Sequence, residues 1–136
     1  MGTKALVAVL IVYAVAEAAW LASMRSTYAR WFGGFARGPL RLRSLPAAAL
    51  TYAILLSCFY VLVLRSPVPP SQPLMQTVRG ALFGLAVYGV YNLTNMATLA
   101  GYPWAMVAVD AAWGTVLFGA LAALHAYLMT RKSTSS

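Results

Sequence analysis

This chain is almost without acids. Among its 136 residues there are two, Glu17 and Asp110, against ten lysines and arginines, for a formal charge of +8. Histidine and cysteine each occur once, as His125 and Cys58. A single cysteine closes no internal disulfide, so the sequence carries no disulfide framework and no signal of redox compartment. Two separated acids, one histidine and one cysteine give no metal-ligand spacing, and no nucleophile stands beside a base. A glycine-rich phosphate loop is missing as well. An enzyme is therefore not expected, nor a cofactor or metal. His125, with no second ligand in view, reads as an interfacial residue rather than an axial haem ligand. Charged residues make up 9% of the chain, where a soluble domain carries about 25%.

What is present is apolar. The hydrophobic share is 62% and the mean hydropathy +0.75, which places the chain in the membrane class. Its cations flank apolar runs, as headgroup anchors do, so the positive charge does not read as a nucleic-acid surface. The expected partners are the lipid bilayer and other membrane-protein subunits.

Four runs are long enough to cross a bilayer, at about 5–24, 46–64, 78–100 and 104–129. The first contains a small-x-small sequence, Ala14-Val15-Ala16, but stays apolar beyond it, so a retained span is expected rather than a cleaved leader. Between the first two runs, Arg25, Arg30, Arg37, Arg41 and Arg43 alternate with aromatics that include Trp31. Basic residues interleaved with aromatics predict a strip lying in the headgroup layer. Pro46 opens the second run in the manner of a first-turn proline. Pro67, Pro69, Pro70 and Pro73 predict a stiff extended linker over 66–76. Gly80 and Gly84 form G-x-x-x-G, which lets two helix backbones approach closely. Gly101-Tyr102-Pro103 predicts a tight turn, with Tyr102 and Trp104 in an aromatic belt. The fold expected is an all-α integral membrane four-helix bundle, up-down-up-down, forming one domain over 1–136, with the basic aromatic connector between helices 1 and 2. Charge leaves orientation nearly balanced, and the concentrated arginines of that connector favour its placement on the cytoplasmic or matrix-like side.

The polar residues inside these runs are not scattered. Helical spacing puts Tyr88, Tyr91, Asn92, Asn95 and Thr98 on one stripe. Both acids lie inside spans, and each is followed three residues later by a tryptophan, Trp20 and Trp113. Counting residues from the span ends puts Glu17, Asn92, Asn95 and Asp110 about 6–11 Å below one membrane face at 1.5 Å per residue. A carboxylate near the middle of a span costs about 2.5–3.5 kcal/mol on insertion scales, so each acid is expected to point inward. A layer of Glu17, Tyr88, Tyr91, Asn92, Asn95 and Asp110 is the candidate site. Trp20, Gly80, Gly84, Trp113 and Gly114 are candidate packing residues around it. Arg25, two helical turns beyond Glu17, is a candidate counter-ion that could reach back to it. The layer reads either as an interhelix hydrogen-bond lock or as a proton, ion or lipid-ligand site.

These residues resemble a family of small four-span membrane proteins known as domain of unknown function 2177. The likeness is clearest in Tyr88-Gly89-Val90-Tyr91-Asn92-Leu93-Thr94-Asn95-Met96-Ala97-Thr98-Leu99, in Gly101-Tyr102-Pro103, and in Val109-Asp110-Ala111-Ala112-Trp113-Gly114-Thr115. Glu17 to Trp20 is similar to a further family pattern in which aspartate is usual. The resemblance implies a membrane fold and no known activity. It also implies that Asn92 stands where relatives carry aspartate, so a site built on three acids would here have two. Relatives are often encoded beside lipid-modifying enzymes, which keeps a lipid-handling alternative open. The preferred expectation is a non-catalytic accessory or packing subunit of a larger membrane assembly. The alternative is a small transporter or lipid-handling protein using Glu17 and Asp110.

Overall fold

The structure is a computed structural model and describes residues 2–35, 42–65 and 72–133. Among these residues it is all helical. The elements are α1 (Thr3–Phe32), α2 (Leu45–Phe59), which continues as a π-helical turn (Tyr60–Leu64), α3 (Pro73–Thr98) and α4 (Trp104–Ser133).

The first helix is longer than expected. No glycine or proline interrupts the sequence from Thr3 to Phe32, so the helix continues through Arg25–Phe32, which the sequence reading had placed in the basic aromatic connector. Gly33 and Gly34 end it: their N–H groups reach Ala29 O at 3.1 Å and Trp31 O at 3.3 Å. At 30 residues α1 is about 45 Å long, well beyond the roughly 30 Å of a hydrocarbon core.

α2 begins at a side-chain cap. The Ser44 hydroxyl accepts from Ala47 N–H at 3.2 Å, and a proline occupies the first turn, where its missing N–H has no partner to lose. The helix then widens, with Arg65 N–H reaching Tyr60 O at 2.8 Å. Widening displaces backbone carbonyls from their helical partners. The buried Gln76 amide takes up one of them, donating from Nε2 to Val63 O at 2.7 Å. Gln76 belongs to α3, which starts at Pro73, so the expected linker is shorter at its C-terminal end than the prolines suggested.

α4 is the hub. Its Leu117, Phe118, Leu121 and Ala122 share one core with Val9 and Tyr13 of α1 and with Phe59, Val63 and Leu64. Phe118 is fully buried, with the rings of Tyr13, Phe59, Phe83 and Tyr88 around it at 4.7 to 6.2 Å. The closest helix pair is α3 on α4. A Cβ on Gly80 would collide with the Phe118 carbonyl and lie 2.6 Å from Ala122 Cβ; one on Gly84 would strike the Gly114 backbone. Residue pairs along this seam run in opposite directions, as do Tyr13–Phe118 and Glu17–Trp113 between α1 and α4. Thus α1 and α3 are both antiparallel to α4. Gly101, at φ 83°, makes the turn between α3 and α4, close to Gly34 O.

Three helical segments are long and apolar enough to cross a membrane: Thr3–Phe32, Leu45–Leu64 and Trp104–Arg131. α3 has the length, at 26 residues, but its Gln76, Arg79, Asn92 and Asn95 make it more polar than the others.

Candidate functional site

Glu17 and Asp110 occupy one continuous network, and each is served by the other helix. Trp113 Nε1–H donates to Glu17 Oε2 at 3.0 Å. Trp20 Nε1–H donates to the Tyr28 hydroxyl at 2.9 Å, and Tyr28 O–H in turn donates to Asp110 Oδ1. The two indoles stack between the acids, centroids 4.3 Å apart and planes within 4° of parallel. This geometry explains the repeated acid-x-x-Trp. Three residues along a helix stay on one face. Between antiparallel helices, Trp113 therefore reaches the other helix's acid directly, and Trp20 reaches it through the Tyr28 hydroxyl.

α3 supplies the rest. Asn92 is fully buried, and its Nδ2 donates to Asp110 Oδ2 at 3.2 Å and to Tyr88 O at 2.9 Å. Its Oδ1 accepts from the Tyr102 hydroxyl at 2.6 Å. Tyr88 O–H points to Glu17 Oε1 at 3.5 Å, a long contact for hydroxyl and carboxylate. All donors to the two carboxylates are neutral groups, and among the described residues neither acid forms an ion pair. Arg25, the expected counter-ion, is exposed instead.

This geometry lies within a chain whose residues 2–128 match the model of a family described as predicted membrane proteins, DUF2177. The chain belongs to that family. Neither a curated protein nor a solved structure matches it.

In this DUF2177 protein the structure gathers Glu17, Tyr88, Asn92 and Asp110 into one layer, with Asn95 half-buried near the Tyr102 hydroxyl. Tyr91 does not join them. It is 58% exposed, because the face that meets α4 is centred on Tyr88 and Asn92, and Tyr91 is turned about 100° from Asn92. Thr98 is exposed too and donates only to Thr94 O of its own helix, at 2.8 Å. Tyr102 corrects the belt expectation: it is buried in the layer, while Trp104 is exposed. Trp20 and Trp113 are donors as well as packing residues. Gly80, Gly84 and Gly114 lie in the α3–α4 seam, so the G-x-x-x-G motif is used inside the chain and lends no support to an outside partner.

Of the headgroup residues, Arg25, Arg30 and Arg43 are exposed, and Trp31 packs edge-on to Tyr28 at 5.9 Å. Arg37 and Arg41 lie outside the described residues. Cys58 is exposed on α2. Tyr28 was missed from sequence because it was assigned to the interfacial connector. It follows Glu17 by eleven residues, close to three helical turns, so extending α1 alone would have placed it on the face of the acid.

Proposed function

We propose that this chain is a non-catalytic, multi-pass packing or accessory component of a membrane, in which four helices cross up-down-up-down and the polar layer fixes their register. The observation that carries this reading is the closure of the network around Asp110. Both carboxylate oxygens, the Asn92 amide and the Tyr28 and Tyr102 hydroxyls have partners within the chain. In a hydrocarbon surround, such cross-helix bonds select one packing among many similar apolar ones. α2 is the helix offered outward: Leu50, Ile54, Val61 and Leu62 are exposed, for lipid or a neighbouring membrane subunit to cover.

Asp110→Ala and Asp110→Asn test the lock. Alanine strands Tyr28 O–H and Asn92 N–H₂, and should cost about 2–6 kcal/mol at roughly 1–3 kcal/mol per stranded group. Asparagine retains an acceptor and should recover at least half of that loss, read as unfolding in detergent micelles. A proton relay predicts the reverse pattern: Asp110→Asn would fold normally and abolish pH-driven flux in proteoliposomes.

A second reading, a small transporter or lipid-handling protein, is favoured by one observation. Beside Glu17 the buried Tyr13 hydroxyl has no partner, so the layer is not closed at that end.

A further inference from the structure

The two acids are not equivalent. Asp110 has a donor on each oxygen, whereas Glu17 has Trp113 on Oε2 and only the 3.5 Å approach of Tyr88 on Oε1. One helical turn before Glu17, on the same face of α1, lies an unmet group. Tyr13 is 4% exposed, and its hydroxyl makes no hydrogen bond. A buried hydroxyl without a partner costs about 1–3 kcal/mol. Its polar neighbours are Glu17 and Tyr88, and Tyr52 of α2 meets the Tyr13 ring edge-on at 6.3 Å. Glu17 is partly exposed and Tyr52 is exposed.

We propose that Glu17 Oε1 and the hydroxyls of Tyr13 and Tyr88, with Tyr52 of α2 alongside, form a site for one sodium ion. The donor set is all oxygen, which suits a hard cation. The charge is set by balance. A single carboxylate neutralises one positive charge, and a divalent ion would leave an uncompensated charge in a low-dielectric layer. The other charged group near Glu17 is Asp110, which its own donors hold. The remaining α4 neighbour, Trp113, is a neutral donor. With the ion bound, Tyr13 gains its missing partner, and the Tyr88 contact no longer has to close alone. The site is independent of the Asp110 lock, and it supplies the second reading with its ligand.

The full chain in nanodiscs provides its own reporter, since Trp113 bonds to Glu17 and stacks on Trp20. Tryptophan fluorescence is followed as sodium chloride replaces choline chloride at constant ionic strength, at several pH values. For sodium, the expected result is a saturable change whose midpoint rises about tenfold for each unit fall in pH near the carboxyl's titration, because proton and ion compete for one group. A pH response with no sodium response is carboxyl protonation alone and overturns the proposal. Glu17→Gln should abolish the sodium response. Tyr13→Phe, which removes no existing hydrogen bond, should weaken it about tenfold or more. A Tyr13→Phe protein that responds as the parent does overturns the proposal, as does a signal that survives Glu17→Gln or no response to either titration. None of these outcomes alters the stability pattern expected of the Asp110 variants.

Discussion

At the scale of the residue, what matters is which tyrosine finds a partner. Tyr91 and Tyr102 are both phenols beside Asn92, yet only Tyr102 is buried and bonded to it. Tyr102→Phe leaves the fully buried Asn92 Oδ1 without its donor, and should cost about 1–3 kcal/mol. Tyr91→Phe should fall within about 0.5 kcal/mol of the parent. Denaturant unfolding in micelles compares them, and equal losses would mean that the Tyr102 bond adds nothing. The Tyr102 case also has a pH signature. Tyr102 lies in the turn, and burial pushes its phenol above the ordinary value of about 10. A raised folded pKa contributes stability that is complete below the unfolded value and is lost as pH climbs through the folded one. Tyr102→Phe should therefore lose less stability than the parent on passing above about pH 10. Sequence alone offered Tyr91 for the layer and Tyr102 for a belt. Tyr91 was counted on the stripe without knowing that α4 contacts α3 along Tyr88 and Asn92, and Tyr102 was placed by its position in the turn without knowing that its hydroxyl reaches Asn92.

At the scale of the element, the α3–α4 seam shows what sequence conveys and what it omits. Gly80 and Gly84 announced a close approach, but not the surface approached. The answer is the backbone of α4 from Gly114 to Phe118, and it follows from the short turn at Gly101 that makes the two helices neighbours. Gly84→Ala pushes a methyl group into the Gly114 backbone, which does not yield like a side chain. A loss of about 1–3 kcal/mol is expected from overpacking. Gly89→Ala on the same helix is the control. Its Cβ would meet only Leu85 Cδ1 at 3.8 Å, so the better helix propensity should leave stability unchanged or raise it by up to about 1 kcal/mol. Thermal midpoints in detergent separate the two, and equal effects would place the tight contact elsewhere. The end of α1 was legible in Gly33-Gly34, but the cluster of arginines drew the boundary too early. Positive charge marks a membrane face without ending a helix, and the helix carries Tyr28 past that face's first arginine to reach Asp110.

For the molecule as a whole, the open quantity is the number of crossings, and α3 decides it. Three helical segments are apolar enough to cross by themselves, whereas α3 carries Arg79, Asn92 and Asn95. Its polarity has an explanation that still permits crossing. Asn92 is sealed against α4, Asn95 is half-buried near Tyr102, and the outward face presents Leu82, Leu85, Val90 and Leu93. A helix that hides its polar side on a partner need not be apolar all round. Paired antiparallel with α4 along the seam, it has the length to cross beside it. Four crossings return the chain to its starting side, and three leave its ends on opposite sides. With Cys58 replaced by serine, single cysteines at Lys4, Arg43 and Arg131 can be labelled with a membrane-impermeant maleimide in oriented vesicles. Four crossings require Lys4→Cys and Arg131→Cys to label from one side and Arg43→Cys from the other. If Lys4→Cys and Arg131→Cys label from opposite sides, α3 lies outside the hydrocarbon and the up-down arrangement is wrong. The polar layer would then lie at a membrane surface, where water competes for each of its hydrogen bonds and a lock has little to gain.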